Sequence, residues 1–177
     1  MENIFLIGFR ATGKTTVARI LAARLGFTAV DMDEVLRRRH GAVNAVVARH
    51  GWEYFRAREK ELLAELAGSE RQVVATGGGA ILHQDLWPRV MASGLVVWLT
   101  AEPAVIRARL QADETTATGR PSLTGRPAAD EIEEVLAARE PLYRAGAHLA
   151  LATDGTPPAE LADRIHTSYR ETYSHGR

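Results

Sequence analysis

An apolar run, Ile4-Phe5-Leu6-Ile7, drops straight into Gly8-Phe9-Arg10-Ala11-Thr12-Gly13-Lys14-Thr15 and leaves as a helix-like stretch from Thr16 to Leu21. No other feature of the chain restricts its fold so tightly. The spacing G-x-x-x-x-G-K-[ST] is that of a Walker A phosphate loop, in which glycine-permitted backbone turns so that successive N–H groups face a phosphate, with the positive end of the following helix behind them. Gly8, Ala11, Thr12, Gly13, Lys14, Thr15 and Thr16 are therefore expected to cradle a nucleotide. Lys14 would reach its β and γ phosphates, and the Thr15 hydroxyl would hold Mg²⁺. Lysine use sharpens the point, because the chain's basic residues are almost all arginine and Lys occurs only at positions 14 and 60. A compact ammonium and a planar guanidinium are not interchangeable, so a lysine in this slot indicates a requirement for the ammonium.

Bulk properties narrow the class further. A chain of 177 residues fits one compact domain with a sizeable core, so residues 1–177 are read as a single unit. A formal net charge of zero removes the global basic field that drives nucleic-acid binding. With no cysteine, disulfides, thiolate metal sites and a cysteine nucleophile are excluded. No segment approaches the length of a membrane span, and Met1 is followed almost at once by the first apolar run, so a cytoplasmic protein is expected. Neither nucleic acid nor membrane is an expected partner, and a monomer is the expected state.

Short β-branched runs recur at Ile4–Ile7, Thr28–Val30, Gln72–Ala75, Leu95–Leu99 and Ala147–Ala152, with helically spaced segments between them. Strands apolar at nearly every position, alternating with helices, predict an α/β fold: a parallel sheet covered on both faces, with its ligand crevice at the carboxyl ends of the strands. Two stretches interrupt the alternation. Residues 42–67 hold two helical segments parted near Gly51-Trp52, with no strand between, an insertion able to wall a second pocket. Residues 112–130 are rich in Thr, Gly and Pro and lack a sustained apolar face, as a mobile flap does.

Chemistry-bearing residues cluster at the predicted strand ends. Asp31 and Asp33 follow the second strand, and if they continue it they share one face, directed into the crevice. The competing role for one of them is to cap the next helix. Thr76-Gly77-Gly78-Gly79 closes the third strand without the carboxylate expected there, leaving Asp31 to supply one on the metal side. Three adjacent glycines imply close approach of backbone to a ligand or positive φ. Arg56 lies three residues before Glu59, at a spacing that lets the carboxylate hold the guanidinium. Arg139 precedes Glu140-Pro141, where proline is expected to stop or kink the helix. Arg120, in the flap, is placed as a lid arginine that closes on a transferring phosphate. The run Arg37-Arg38-Arg39-His40 reads as a solvated helix face, and Arg10 has no evident role.

The segments G-F-R-A-T-G-K-T-T, V-D-M-D, F-R-A-R-E, A-T-G-G-G-A, R-P-S-L-T-G-R-P and R-E-P-L-Y occur in an order and near-spacing that resembles the shikimate kinase family, from residue 4 to about residue 150. The segment after the flap is similar to the type II members. The resemblance implies a three-layer P-loop kinase fold: a central five-stranded parallel sheet, a substrate-binding helical insertion at about 33–67 and a mobile lid at about 112–126. It further implies ATP and Mg²⁺ as cofactors and shikimate as the acceptor, phosphorylated on its 3-hydroxyl in the route to chorismate and aromatic amino acids. Matched position by position, Thr15 and Asp31 fall on the Mg²⁺ side. Asp33 matches the residue that orients or deprotonates the acceptor hydroxyl. Arg56 and Arg139 match the pair that clamps the shikimate carboxylate, and Gly78 and Gly79 the backbone amides over the substrate. Arg120 matches the lid arginine and, with Lys14 and Asp33, completes the implied catalytic set. Arg109 aligns with an arginine that stacks on adenine. The chain departs from the pattern at Ala11, where many members carry Gly, and at Gly41-Ala42-Val43, which lacks the usual hydroxyl. A kinase of the same fold acting on another hydroxy acid such as gluconate, and a non-catalytic ATP-binding module, are the alternatives.

Overall fold

The computed structural model describes residues 2–112 and 131–173. Five strands, β1 (Asn3–Ile7), β2 (Thr28–Asp31), β3 (Gln72–Ala75), β4 (Gly94–Thr100) and β5 (Leu149–Ala152), form one sheet in the order β2-β3-β1-β4-β5. Every pairing is parallel, with Ile4 opposite Val73 on one side and Leu95 on the other. The apolar run Ile4–Ile7 of β1 follows from this central position, because both faces of the strand are buried. Phe5 and Ile7 enter one cluster with Val74, Val96 and Trp98, while Ile4 and Leu6 enter another with Val73, Val97 and Leu99.

Helices cover the two faces unequally. Among the described residues, α1 (Lys14–Leu25) and α7 (Pro158–Tyr173) pack on the Ile4/Leu6 face through Val17, Leu21, Leu161 and Ile165. The other face carries α2 (Met32–His40), α3 (Val43–Ala67), α4 (Trp87–Ala92) and the later part of α6 (Ile132–Ala145), through Met32, Leu36, Leu63, Trp87 and Tyr143. A third small cluster joins Phe9 to Ile106 of α5 (Pro103–Ala112) and to Ile132 and Val135 of α6. The chain thus places its phosphate loop at the carboxyl edge of the sheet's middle strand, with Phe9 against α5 and α6.

Three local expectations need correction. Asp31 and Asp33 do not share a strand face: β2 ends at Asp31, which caps α2 by accepting the Glu34 N–H at 3.1 Å, and Asp33 lies in the first helical turn. An Asp before an apolar helical run satisfies orphan N–H groups better than it extends a strand. Pro141 does not end its helix either, since α6 runs through it to Ala145. Packing of Tyr143, 1% exposed, holds the last turn despite the missing N–H. Finally β5 begins at Leu149 rather than Ala147.

The expected break near Gly51-Trp52 is present, with Gly51 at φ 82°, ψ 168° inside α3. Ala42 caps α3 without a side-chain bond, as the missing hydroxyl requires. Among the described residues no helix is long and apolar enough to cross a membrane. The lid expected at 112–126, with Arg120, lies outside the described residues beyond Ala112.

Candidate active site

The donor side is mostly main chain. Gly8 (φ 137°) and Gly13 (φ 85°) take backbone conformations that side-chain-bearing residues rarely adopt. A Cβ on Gly8 would stand 2.4 Å from the Leu99 carbonyl oxygen at the end of β4, so this turn needs glycine for space as well. Ala11 also holds a positive φ, 61°, where its short side chain makes the left-handed region less costly than a bulky one would. The Thr12 hydroxyl donates to the Phe9 carbonyl at 2.8 Å and tightens the turn. Lys14, the first residue of α1, donates to the carbonyls of Gly8 at 3.0 Å and Phe9 at 2.6 Å, which draws its ammonium back over the loop. The Thr15 hydroxyl donates to Asp31 at 2.5 Å, and Thr16 is exposed at the rim. Arg109 of α5 closes the far side, donating to the carbonyl of Ala11 at 3.1 Å and to both oxygens of Thr153 at 3.0 and 3.2 Å.

The acceptor side is a cleft lined by Asp33, Arg56, Gly78, Gly79 and Arg139, with Phe9, Val43, Trp52 and Phe55 as apolar walls and Arg10 and Glu59 at its edges. Five segments distant in sequence contribute to it. Glu59 on α3, 1% exposed, accepts from Arg56 one turn earlier at 2.7 Å, and the guanidinium lies over the rings of Trp52 and Phe55. From α6, Arg139 donates to the Gly78 carbonyl at 2.9 Å and the Tyr143 hydroxyl donates to the same oxygen at 2.7 Å. Two arginines are thereby fixed in one small cavity, each ready to form parallel charge-assisted bonds to a planar carboxylate.

The glycine run serves a purpose other than positive φ. None of Gly77, Gly78 and Gly79 has it. Instead, a Cβ on Gly79 would stand 2.1 Å from Arg56 Nη1, and one on Gly77 would stand 2.6 Å from Glu59 Oε1. Two glycines thus make room for the ion pair that the cleft presents. Gly78 abuts the phosphate loop, since its Cβ would come 3.6 Å from the Arg10 nitrogen and 3.8 Å from the Gly8 carbonyl oxygen.

Buried charge is balanced within this network. Burial works against ionisation of Glu59, but the hydrogen bond from His83 and the charge and hydrogen bond of Arg56 outweigh it and hold the carboxyl below its ordinary value. His83 reaches Glu59 at 3.0 Å. Burial pushes the Tyr143 hydroxyl up to about 12, against the opposing charge of Arg139, so it stays protonated and donating at neutral pH. His83, Tyr143 and Glu131, the partner of Arg10, carry no role in the reading of the sequence. Tyr143 alone had a signal, lying four residues after Arg139 on the same helical face. His83 and Glu131 come from distant segments, with no spacing rule to point to them.

A loop with phosphate-loop spacing that touches, through Gly78, a cleft presenting two arginines and Asp33 is the arrangement of a P-loop kinase. The sequence model of the shikimate kinase family matches residues 10–170. A shikimate kinase of Oleidesulfovibrio alaskensis is 47% identical over 84% of this chain and 86% of its own, and shikimate kinase 2 of Yersinia enterocolitica is 42% identical over 93% of each. Among solved structures, shikimate kinase from Acinetobacter baumannii in complex with shikimate has a TM-score of 0.88 at 32% identity, covering 98% of this chain and 95% of that one. The chain belongs to the shikimate kinase family.

Proposed function

We propose that this chain transfers the γ-phosphoryl group of ATP to the 3-hydroxyl of shikimate, giving shikimate 3-phosphate and ADP. The observation that carries the reading is the meeting of Asp33, Arg56 and Arg139 in one cleft against the phosphate loop. Arg56 and Arg139 clamp the acceptor carboxylate, with Gly78 and Gly79 beneath it. That seating directs the hydroxyl toward Asp33, which orients it or takes its proton. Gly8 and Ala11 to Thr16 hold the triphosphate, Lys14 swings from the loop carbonyls to its β and γ oxygens, Arg109 faces the base and Arg120 closes on the phosphates.

The Thr15 hydroxyl and Asp31 carboxylate suit Mg²⁺, since both are hard oxygen donors brought to 2.5 Å of each other beside Lys14. When bound, Mg²⁺ would neutralise phosphate charge. Residues 1–177 act as one domain in this reading, with 33–67 as the acceptor wall and 112–126 as the lid. A coupled ADP-release assay with Mg-ATP tests the function: robust turnover with shikimate and little with gluconate is expected, and no turnover above background overturns it.

A further inference from the structure

Arg10 occupies the phosphate loop yet has no place in the phosphate cradle. Its guanidinium lines the acceptor cleft and bonds Glu131 at 3.0 Å, across 121 positions of sequence. Both side chains are withdrawn from water, Arg10 to 10% exposure and Glu131 to 0%. Glu131 is the residue immediately before α6, and its own carbonyl accepts the Val135 N–H, so the carboxylate is rigidly joined to that helix. Phe9 packs on Ile132 and Val135 beside it.

Eight residues further along α6, about 12 Å at the helical rise, Arg139 donates to the Gly78 carbonyl. Gly78 in turn lies against the Arg10 backbone. The contacts close a triangle: phosphate loop to α6 through Arg10–Glu131, α6 to the glycine run through Arg139 and Tyr143, and glycine run back to the phosphate loop. A displacement of residues 11–14 would reach Arg10 and, through Glu131 and α6, Arg139.

We infer that Glu131 is a positioning residue which, through Arg10, couples the nucleotide site to the acceptor-carboxylate clamp, so that each ligand raises the affinity for the other. The inference rests on the acceptor assignment above. A linkage of this kind is reciprocal in free energy. It also depends on the flat fork of the arginine, which holds a carboxylate in a way a lysine ammonium does not.

Binding of shikimate, followed by calorimetry or intrinsic tryptophan fluorescence, is measured with and without Mg-ADP, and binding of Mg-ADP with and without shikimate. The wild-type chain, Glu131→Gln, Arg10→Lys and the double Arg10→Met/Glu131→Met variant are compared. Wild type is expected to show a several-fold mutual gain in affinity. Each single variant should bring that factor close to one, with Mg-ADP affinity measured alone little changed, and the double variant should lose no more than the singles. Full coupling in Glu131→Gln and Arg10→Lys, additive losses in the double variant, or a wild-type factor of one overturns the inference. Arg10→Lys keeps the charge, so it serves if Glu131→Gln proves too unstable to assay. Wild-type failure to bind shikimate at all would instead remove the acceptor assignment itself.

Discussion

The donor and acceptor halves of the site both depend on glycine, and for opposite reasons. In the phosphate loop Gly13 stands in open space at φ 85°, so backbone conformation excludes other residues. In the acceptor half Gly79 has ordinary φ but no room, because the Arg56 guanidinium occupies the place of its Cβ. One half is a shaped main chain that binds with N–H groups. The other is a set of side chains from separate elements, held by ion pairs and accommodated by missing side chains. In the proposed reading a phosphate, common to many ligands, would be met by backbone, and a particular small acid by side chains.

This division can be broken by substitutions that separate catalysis from binding. The largest effect is expected from Asp33→Asn: kcat should fall by on the order of 10² to 10⁴ with Mg-ADP affinity little changed, and an unaltered rate would remove Asp33 from the mechanism. Next comes Arg139→Ala, which loses charge-assisted bonds worth about 1.5–3 kcal/mol each and should raise KM for shikimate about 10- to 100-fold. An equal rise in KM for ATP would show that the halves are not separable at this residue. Smaller still is the contrast of two alanines. Gly79→Ala should push the guanidinium aside and raise shikimate KM several-fold with Tm nearly unchanged, whereas Gly13→Ala should cost about 1–2 kcal/mol of stability through its left-handed backbone and weaken nucleotide binding. Matching outcomes for the two would end the distinction drawn above.

The smallest signal lies in pH. Because the Glu59 carboxyl is held below its ordinary value of 4.5, its contribution to stability is present in full above that pH and is lost as pH falls through the lower folded value. The Tm gap between wild type and Glu59→Gln should therefore narrow as pH drops from neutral to below 4.5, and a gap constant across that range would count against the charged network.

How much of this was legible before folding follows the same division. The phosphate loop could be read outright because its ligands are contiguous and its two glycines and lysine obey one local spacing. The three central strands were legible because Ile4–Ile7, Val73–Ala75 and Leu95–Leu99 are buried on both faces and apolar throughout. Arg56 and Glu59 could be paired because three residues make one helical step. Asp31 and Asp33 were misassigned in geometry, since i and i+2 share a face only while the strand continues, and capping ended it. His83 and Glu131 left no trace: their partners, Glu59 and Arg10, lie 24 and 121 positions away, and only tertiary packing brings them together.

The place of β1 in the sheet has a consequence for how the site comes apart. Strand β1 is bonded along both edges and its apolar residues are at most 1% exposed, while β2, bonded on one edge, leaves Thr28 and Ala29 open to solvent. The stem of the nucleotide loop should thus exchange its amide hydrogens only when the whole domain unfolds, whereas β2 and the α2 turn bearing Asp33 can open locally at much lower free energy. Asp33 and the stem of the nucleotide loop, though parts of one site, are thus expected to open at very different free energies.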